Sequence, residues 1–108
     1  MEFLFAPMEG ITYAIYRKLH HAFFSGAAAY YTPFIAPDSN GSFKAKYLSE
    51  LTKDCSEGIS VIPQLLVNRA SSFNATADAL ADLGFREINL NTGCPSGTVF
   101  AKKKGAGM

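Results

Sequence analysis

Cysteine is scarce in this chain of 108 residues: only Cys55 and Cys94 occur, with no Cys-x-x-Cys pair and no histidine at a ligand spacing from either. That argues against a disulfide framework or a zinc site and makes a reducing cytoplasm the expected setting. Charge of one sign is lacking too. The formal net charge is +1, too close to neutral for a dedicated nucleic-acid-binding module. No apolar run reaches the roughly 18–20 residues that span a bilayer, so no membrane partner is expected. The opening Met1-Glu2-Phe3-Leu4-Phe5 has neither the basic n-region nor the small-residue cleavage site of a secretory signal. The two histidines, His20 and His21, are neighbours; a helix turns them about 100° apart, so they do not form a ligand pair. They are assigned to a solvated or half-buried helix face, and no metal site is expected.

What is present is 48% hydrophobic residues, enough for one small domain with a core. Glu2 to Ala6 contains an unbroken apolar run and reads as a buried strand of the parallel type, ended by Pro7 and Gly10. From Thr12 as N-cap to about Ser25, Ile15, Tyr16, Leu19, Ala22 and Phe23 recur at helical spacing, with Gly26 as the stop. Ala27 to Tyr31 is a second strand, closed by Thr32-Pro33. Ser42 is placed as the cap of a helix through about Lys53 with Phe43, Tyr47, Leu48 and Leu51 on its inner face. Ile59 to Leu66 is a third strand, weakened by Pro63, since a central strand cannot spare an amide donor. Ser71 or Ser72 opens a third helix with Phe73, Ala77, Leu80 and Ala81 inside and Gly84 at its end, and Arg86 to Leu90 forms a fourth strand.

The order β-α-β-α-β-α-β predicts an α/β fold with a parallel sheet and crossover helices. Strands starting near residues 2, 27, 59 and 86 are separated by about 25 to 32 residues, the repeat of a (β/α)8 TIM barrel. The chain thus reads as the first half of such a barrel, followed only by a loop from Ser96 to Met108. An open doubly wound sheet is the rival, but neither G-x-G-x-x-G nor G-x-x-x-x-G-K-[ST] follows any strand.

Loops after parallel strands all open on one face, where function gathers. The distinctive residues do the same: Pro7-Met8-Glu9-Gly10, Tyr31-Thr32-Pro33, Gln64 with Asn68, and Asn91-Thr92-Gly93-Cys94-Pro95. Turns on the other face, including the one at Cys55, are ordinary, and Cys55 is read as structural. Gln64 and Asn91 carry planar amides that match the alternating donors and acceptors of a uracil or flavin edge; equally, each could satisfy backbone at a strand end. Pro7, Met8 and Gly10 permit close approach of a flat ring, or simply turn the chain. Tyr30, Tyr31 and Phe34 offer stacking surfaces, with core packing the better role for Tyr30. An ordinary thiol titrates near about 8.5, so Cys94 at neutral pH suits a proton donor; a nucleophile needs a nearby cation, and a buried inert cysteine is the alternative. Lys102, Lys103 and Lys104 form a basic, flexible run that could hold nucleic-acid phosphates or merely be solvated.

Taken together, Ala6-Pro7-Met8-Glu9-Gly10-Ile11-Thr12, Tyr31-Thr32-Pro33-Phe34, Pro63-Gln64-Leu65-Leu66 and Glu87 to Ser96 with Lys102 to Gly107 resemble the tRNA-dihydrouridine synthase family, from residue 3 to the last residue. The Asn-x-Gly-Cys-Pro segment is the most specific. The resemblance implies an FMN-dependent enzyme, fed electrons by NADPH, that reduces the C5–C6 bond of tRNA uridines. It implies Cys94 as the acid that protonates C5, Pro7, Met8 and Gly10 against the isoalloxazine, Gln64 at its polar edge, Asn91 orienting flavin or base, and Lys102, Lys103 and Lys104 facing RNA. Family members continue into the rest of the barrel and a helical RNA-binding domain. Residues 1–108 are accordingly expected to be the N-terminal part of the FMN-binding barrel, inactive or nearly so alone, and prone to self-association through exposed barrel edges. Two other readings stay open: an FMN barrel acting on a small pyrimidine or enone, and a non-catalytic assembly or RNA-contact piece.

Overall fold

In the computed structural model, which describes residues 1–52 and 58–108, each element follows the alternation of the sequence. The order is β1 (Phe3–Phe5), α1 (Ala14–Phe23), β2 (Ala27–Tyr31), α2 (Ala45–Leu51), β3 (Val61–Ile62), β4 (Gln64–Leu65), α3 (Ala70–Asp82), β5 (Asn89–Leu90), α4 (Gly97–Ala101) and a 3₁₀ turn at Gly105–Gly107. All strand pairs among these residues are parallel: β1 with β2, β2 with β3, and β4 with β5. The expected end of the second helix at Lys53, and Cys55, lie outside the described residues.

β3 and β4 are one expected strand interrupted at Pro63. Having no N–H, Pro63 cannot donate to the ladder. Its carbonyl still accepts the Asn89 N–H at 2.9 Å, and Ile62 O accepts the Thr32 N–H at 3.1 Å. The next donor, the Gln64 N–H, goes to the hydroxyl oxygen of Thr32 at 3.1 Å. A threonine side chain thus supplies the acceptor where the ladder breaks, which is how a proline is accommodated between two neighbouring strands. A bridge between Ile35 and Leu65 resumes the pairing beyond the break.

Helix starts differ from expectation for identifiable reasons. Thr12 does not cap α1: its hydroxyl accepts the Met8 N–H at 2.8 Å and donates to Met8 O at 3.1 Å, closing the turn in which Gly10 takes φ +83°. The amide of Ala14 is bonded instead by the Glu50 carboxylate of α2 at 2.8 Å. That carboxylate also holds the fully buried Arg17 at 3.0 Å. Arg17 further donates to Thr12 O at 2.7 Å and Glu50 O at 3.3 Å, so α1 and α2 are joined through polar groups. Ser42 is not a cap either; its N–H is drawn to Asp38 Oδ1 at 2.9 Å, and α2 begins only at Ala45.

On α3 Leu80 is buried and Phe73 packs on the core as expected, but Ala81 is exposed and the other buried residues are Ser72 and Thr76. The two hydroxyls face the loop after β2, donating to Ser39 O and Gly41 O. A β-carbon on Gly41 would come 2.5 Å from that of Ala75, so only glycine allows this loop onto the helix. The core behind the sheet joins Ile35, Leu51, Leu65, Val67 and Leu80, with Phe43, Phe73 and Phe85 packed on it. The segment after β5, expected as loop, folds into α4 and the 3₁₀ turn, with Val99 buried beneath.

Candidate active site

The segments that follow the strands meet at one end of the sheet around a cleft of about 440 Å³, lined by Pro7, Met8 and Glu9 after β1, Phe34 after β2, Gln64 on β4, and the run Leu90 to Cys94. Pro7, Met8, Gln64, Asn91 and Cys94, singled out in the sequence, are therefore brought together. Met8 is 56% exposed and Cys94 half-buried, while Gln64 is buried. Gly10 is not on the lining; nothing lies near a β-carbon built on it, and its glycine serves the turn.

Three amides organise the floor. Gln64 Nε2 donates to Asn89 Oδ1 at 2.7 Å, and Asn91 Nδ2 donates to Gln64 Oε1 at 3.1 Å. Asn91 Oδ1 then accepts the backbone N–H groups of Gly93 at 3.1 Å and Cys94 at 3.0 Å. The carboxamide oxygen of Asn91 is thus given over to shaping the cysteine loop, leaving one Nδ2 hydrogen for a ligand. Gln64 keeps a second Nε2 hydrogen and a second lone pair on Oε1. Asn89 was not singled out in the sequence, although its signal was there: residues two apart on a strand share a face, so Asn89 and Asn91 point the same way.

A second restraint reaches Cys94 from beyond α4. Its carbonyl accepts the Ala106 N–H at 3.0 Å. The lysine run is not at this cleft and is not an open tail. Lys102 O accepts Asn68 Nδ2 at 3.0 Å, Lys103 takes φ 52°, and Lys102 and Lys104 line a neighbouring cleft with Asp38 and Arg69. No lysine therefore stands among the groups lining the thiol cleft.

Tyr30 belongs to the core, as its sequence position suggested: it is fully buried and burial pushes its phenol up from the ordinary tyrosine range. The phenol shares a hydrogen bond of 2.9 Å with His20 Nδ1, and the ring packs beside Phe5 at 5.1 Å between centroids. Among the described residues no three metal-binding side chains cluster, and no helix is long and apolar enough to cross a membrane.

Residues 4–108 match the family described as Dihydrouridine synthase (Dus). A "Probable tRNA-dihydrouridine synthase" of Staphylococcus epidermidis (strain ATCC 12228 / FDA PCI 1200) is 30% identical over 113 residues, 98% of this chain and 32% of that protein. One of Staphylococcus aureus (strain COL), carrying the same description, is 28% identical over the same shares. The chain spans about a third of the length of these curated relatives. No solved structure matches.

Proposed function

The chain belongs to the dihydrouridine synthase family, and from that premise we propose that it contributes the acid and part of the flavin seat to an enzyme, acting in the cytoplasm, that reduces uridine to 5,6-dihydrouridine in tRNA. The observation that carries this reading is the cleft that gathers Cys94, Asn91 and Gln64 with the apolar Pro7, Met8 and Leu90.

The lining suits FMN. A flat ring needs an apolar wall and, at its pyrimidine edge, alternating donors and acceptors; Met8 is open to contact, and Gln64 retains one donor and one acceptor position after its bonds to Asn89 and Asn91. Bound in this seat, FMN reduced by NADPH would supply the hydride equivalent for C6 of the uracil. Cys94 delivers its thiol proton to C5, so the C5–C6 double bond becomes single and the thiolate is reprotonated from solvent. Asn91 positions that thiol by holding the Gly93 and Cys94 amides, which limits the loop's freedom at the moment of transfer. Residues 1–108 would form the N-terminal part of the barrel, its strand order continued at the free edges of β1 and β5 by further strands or by a second copy.

The test is Cys94→Ala in the protein carrying this chain. Dihydrouridine should vanish from its tRNA substrate while flavin absorbance is retained. Loss of flavin together with activity would make the cysteine structural, and reduction of free uridine with none on tRNA would point to a small-molecule substrate.

A further inference from the structure

The chain leaves Cys94, forms α4 and comes back to Cys94, where the Ala106 N–H reaches the Cys94 carbonyl at 3.0 Å. Between these ends the segment bonds to itself: the Lys102 and Lys104 amides both go to Val99 O at 3.2 Å, and the Lys103 amide to Phe100 O at 2.9 Å. Among the described residues, the hydrogen bond that joins residues 95–108 to another element is the one from Asn68 Nδ2 to Lys102 O, at 3.0 Å. Asn68 stands in the turn between β4 and α3, and the chemistry of the thiol cleft gives it no part. We propose that Asn68 is a positioning residue for Cys94. It anchors the segment that returns to the cysteine, and so holds the thiol's backbone at its carbonyl as Asn91 holds it at its amide; the proposal rests on the function proposed above.

The returning segment is one that needs holding. Lys103 takes φ +52° and Gly105 φ +55°, and a left-handed lysine persists only where its surroundings fix it. Cys94 is pinned at two points, its N–H by Asn91 Oδ1 at 3.0 Å and its C=O by Ala106. Because α4 and the 3₁₀ turn are bonded to each other, freeing Lys102 lets them shift together, and the Cys94 carbonyl shifts with them. The half-buried thiol then samples more directions, which slows a proton transfer that requires one. Asn68 and Lys102 are both exposed. Removing their bond opens no cavity in the core, so its effect is confined to the segment it anchors.

The experiment compares the protein carrying this chain with its Asn68→Ala and Ser72→Ala variants. The second cuts a neighbouring tie, from α3 to Ser39 O at 3.2 Å, without touching the segment after α4. Iodoacetamide labelling of Cys94, read by peptide mapping, should be roughly three- to tenfold faster in Asn68→Ala, the weight of one lost hydrogen bond, and unchanged in Ser72→Ala. In dihydrouridine formation the kcat of Asn68→Ala should fall by a similar factor, with KM for tRNA and flavin content unchanged. Labelling of Asn68→Ala at the wild-type rate overturns the inference. Equal acceleration in Ser72→Ala also overturns it, by making both ties merely structural, and so does a loss confined to KM, which would make Asn68 a substrate contact. Wild-type protein that forms no dihydrouridine removes the proposed function, while the labelling contrast still decides whether Asn68 holds the Cys94 loop.

Discussion

Gly105 stands so close to Cys94 that a β-carbon in its place would lie 2.8 Å from the Cys94 carbonyl oxygen and 3.0 Å from the Cys94 β-carbon. Its φ of +55° tolerates other residues poorly as well. Gly105→Ala should therefore destabilise by about 1–3 kcal/mol and shift the thiol. Gly93→Ala, where nothing lies within 4 Å and φ is not positive, should change stability by less than about 0.5 kcal/mol. Denaturant midpoints of the two variants measure the contrast.

Asn91→Ala removes the acceptor for the Gly93 and Cys94 amides and leaves Gln64 Oε1 without its donor. A loss of about 1–3 kcal/mol is expected, with faster iodoacetamide labelling of Cys94, read by peptide mapping, because its loop is no longer held. Asn89→Ala should affect labelling less, since it frees only the far hydrogen of Gln64. Equal labelling rates in all three proteins would show that the amides do not hold the loop.

Glu50→Ala takes a carboxylate partner from a fully buried guanidinium and the acceptor from the Ala14 amide. Breaking a buried pair from one side costs about 3–5 kcal/mol, far more than an exposed ion pair. Calorimetry should show this as a large drop in Tm, partly restored when Arg17→Met is added.

Tyr30 adds a dependence on alkaline pH. Its phenol is held above the ordinary range by burial, so the folded chain keeps a proton that the unfolded chain releases near pH 10. Stability from this group is intact below that pH and falls as pH rises towards the raised folded value. Tyr30→Phe should remove this alkaline slope and lower neutral-pH stability by about 1 kcal/mol through loss of the bond to His20. Urea titrations at neutral and alkaline pH test both parts.

The alternation of strands and helices was readable because apolar runs and helical spacing are local. Ala27–Tyr31 was placed to the residue, and Gly84 ends α3 region with φ +97° as a stop signal should. Caps were not readable: the Thr12 hydroxyl is taken by Met8, and Ser42 lies in a turn whose amide is held by Asp38, with α2 starting only at Ala45. Arg17 has nothing in its neighbourhood to announce complete burial, because its anion comes from Glu50 on another helix. The cleft lining was legible through the strand-end rule at Pro7, Met8, Gln64, Asn91 and Cys94. The separation of the lysines from the thiol was not, since it depends on how α4 and the 3₁₀ turn fold back on Cys94.

The break at Pro63 has a meaning for alignment. A strand free of proline can slide along its neighbours with little local protest, and a slip of one residue turns every side chain to the opposite face. Here Pro63 offers no donor, and the following amide finds its acceptor only on the hydroxyl of Thr32. Displacing the strand would strand a buried N–H at the same moment that it turned Gln64 into the apolar layer and Leu65 towards the cleft. Pro63 and Thr32 thus work as a keyed joint: an irregularity in the sheet that accepts one alignment, and so fixes which face the amide of Gln64 presents.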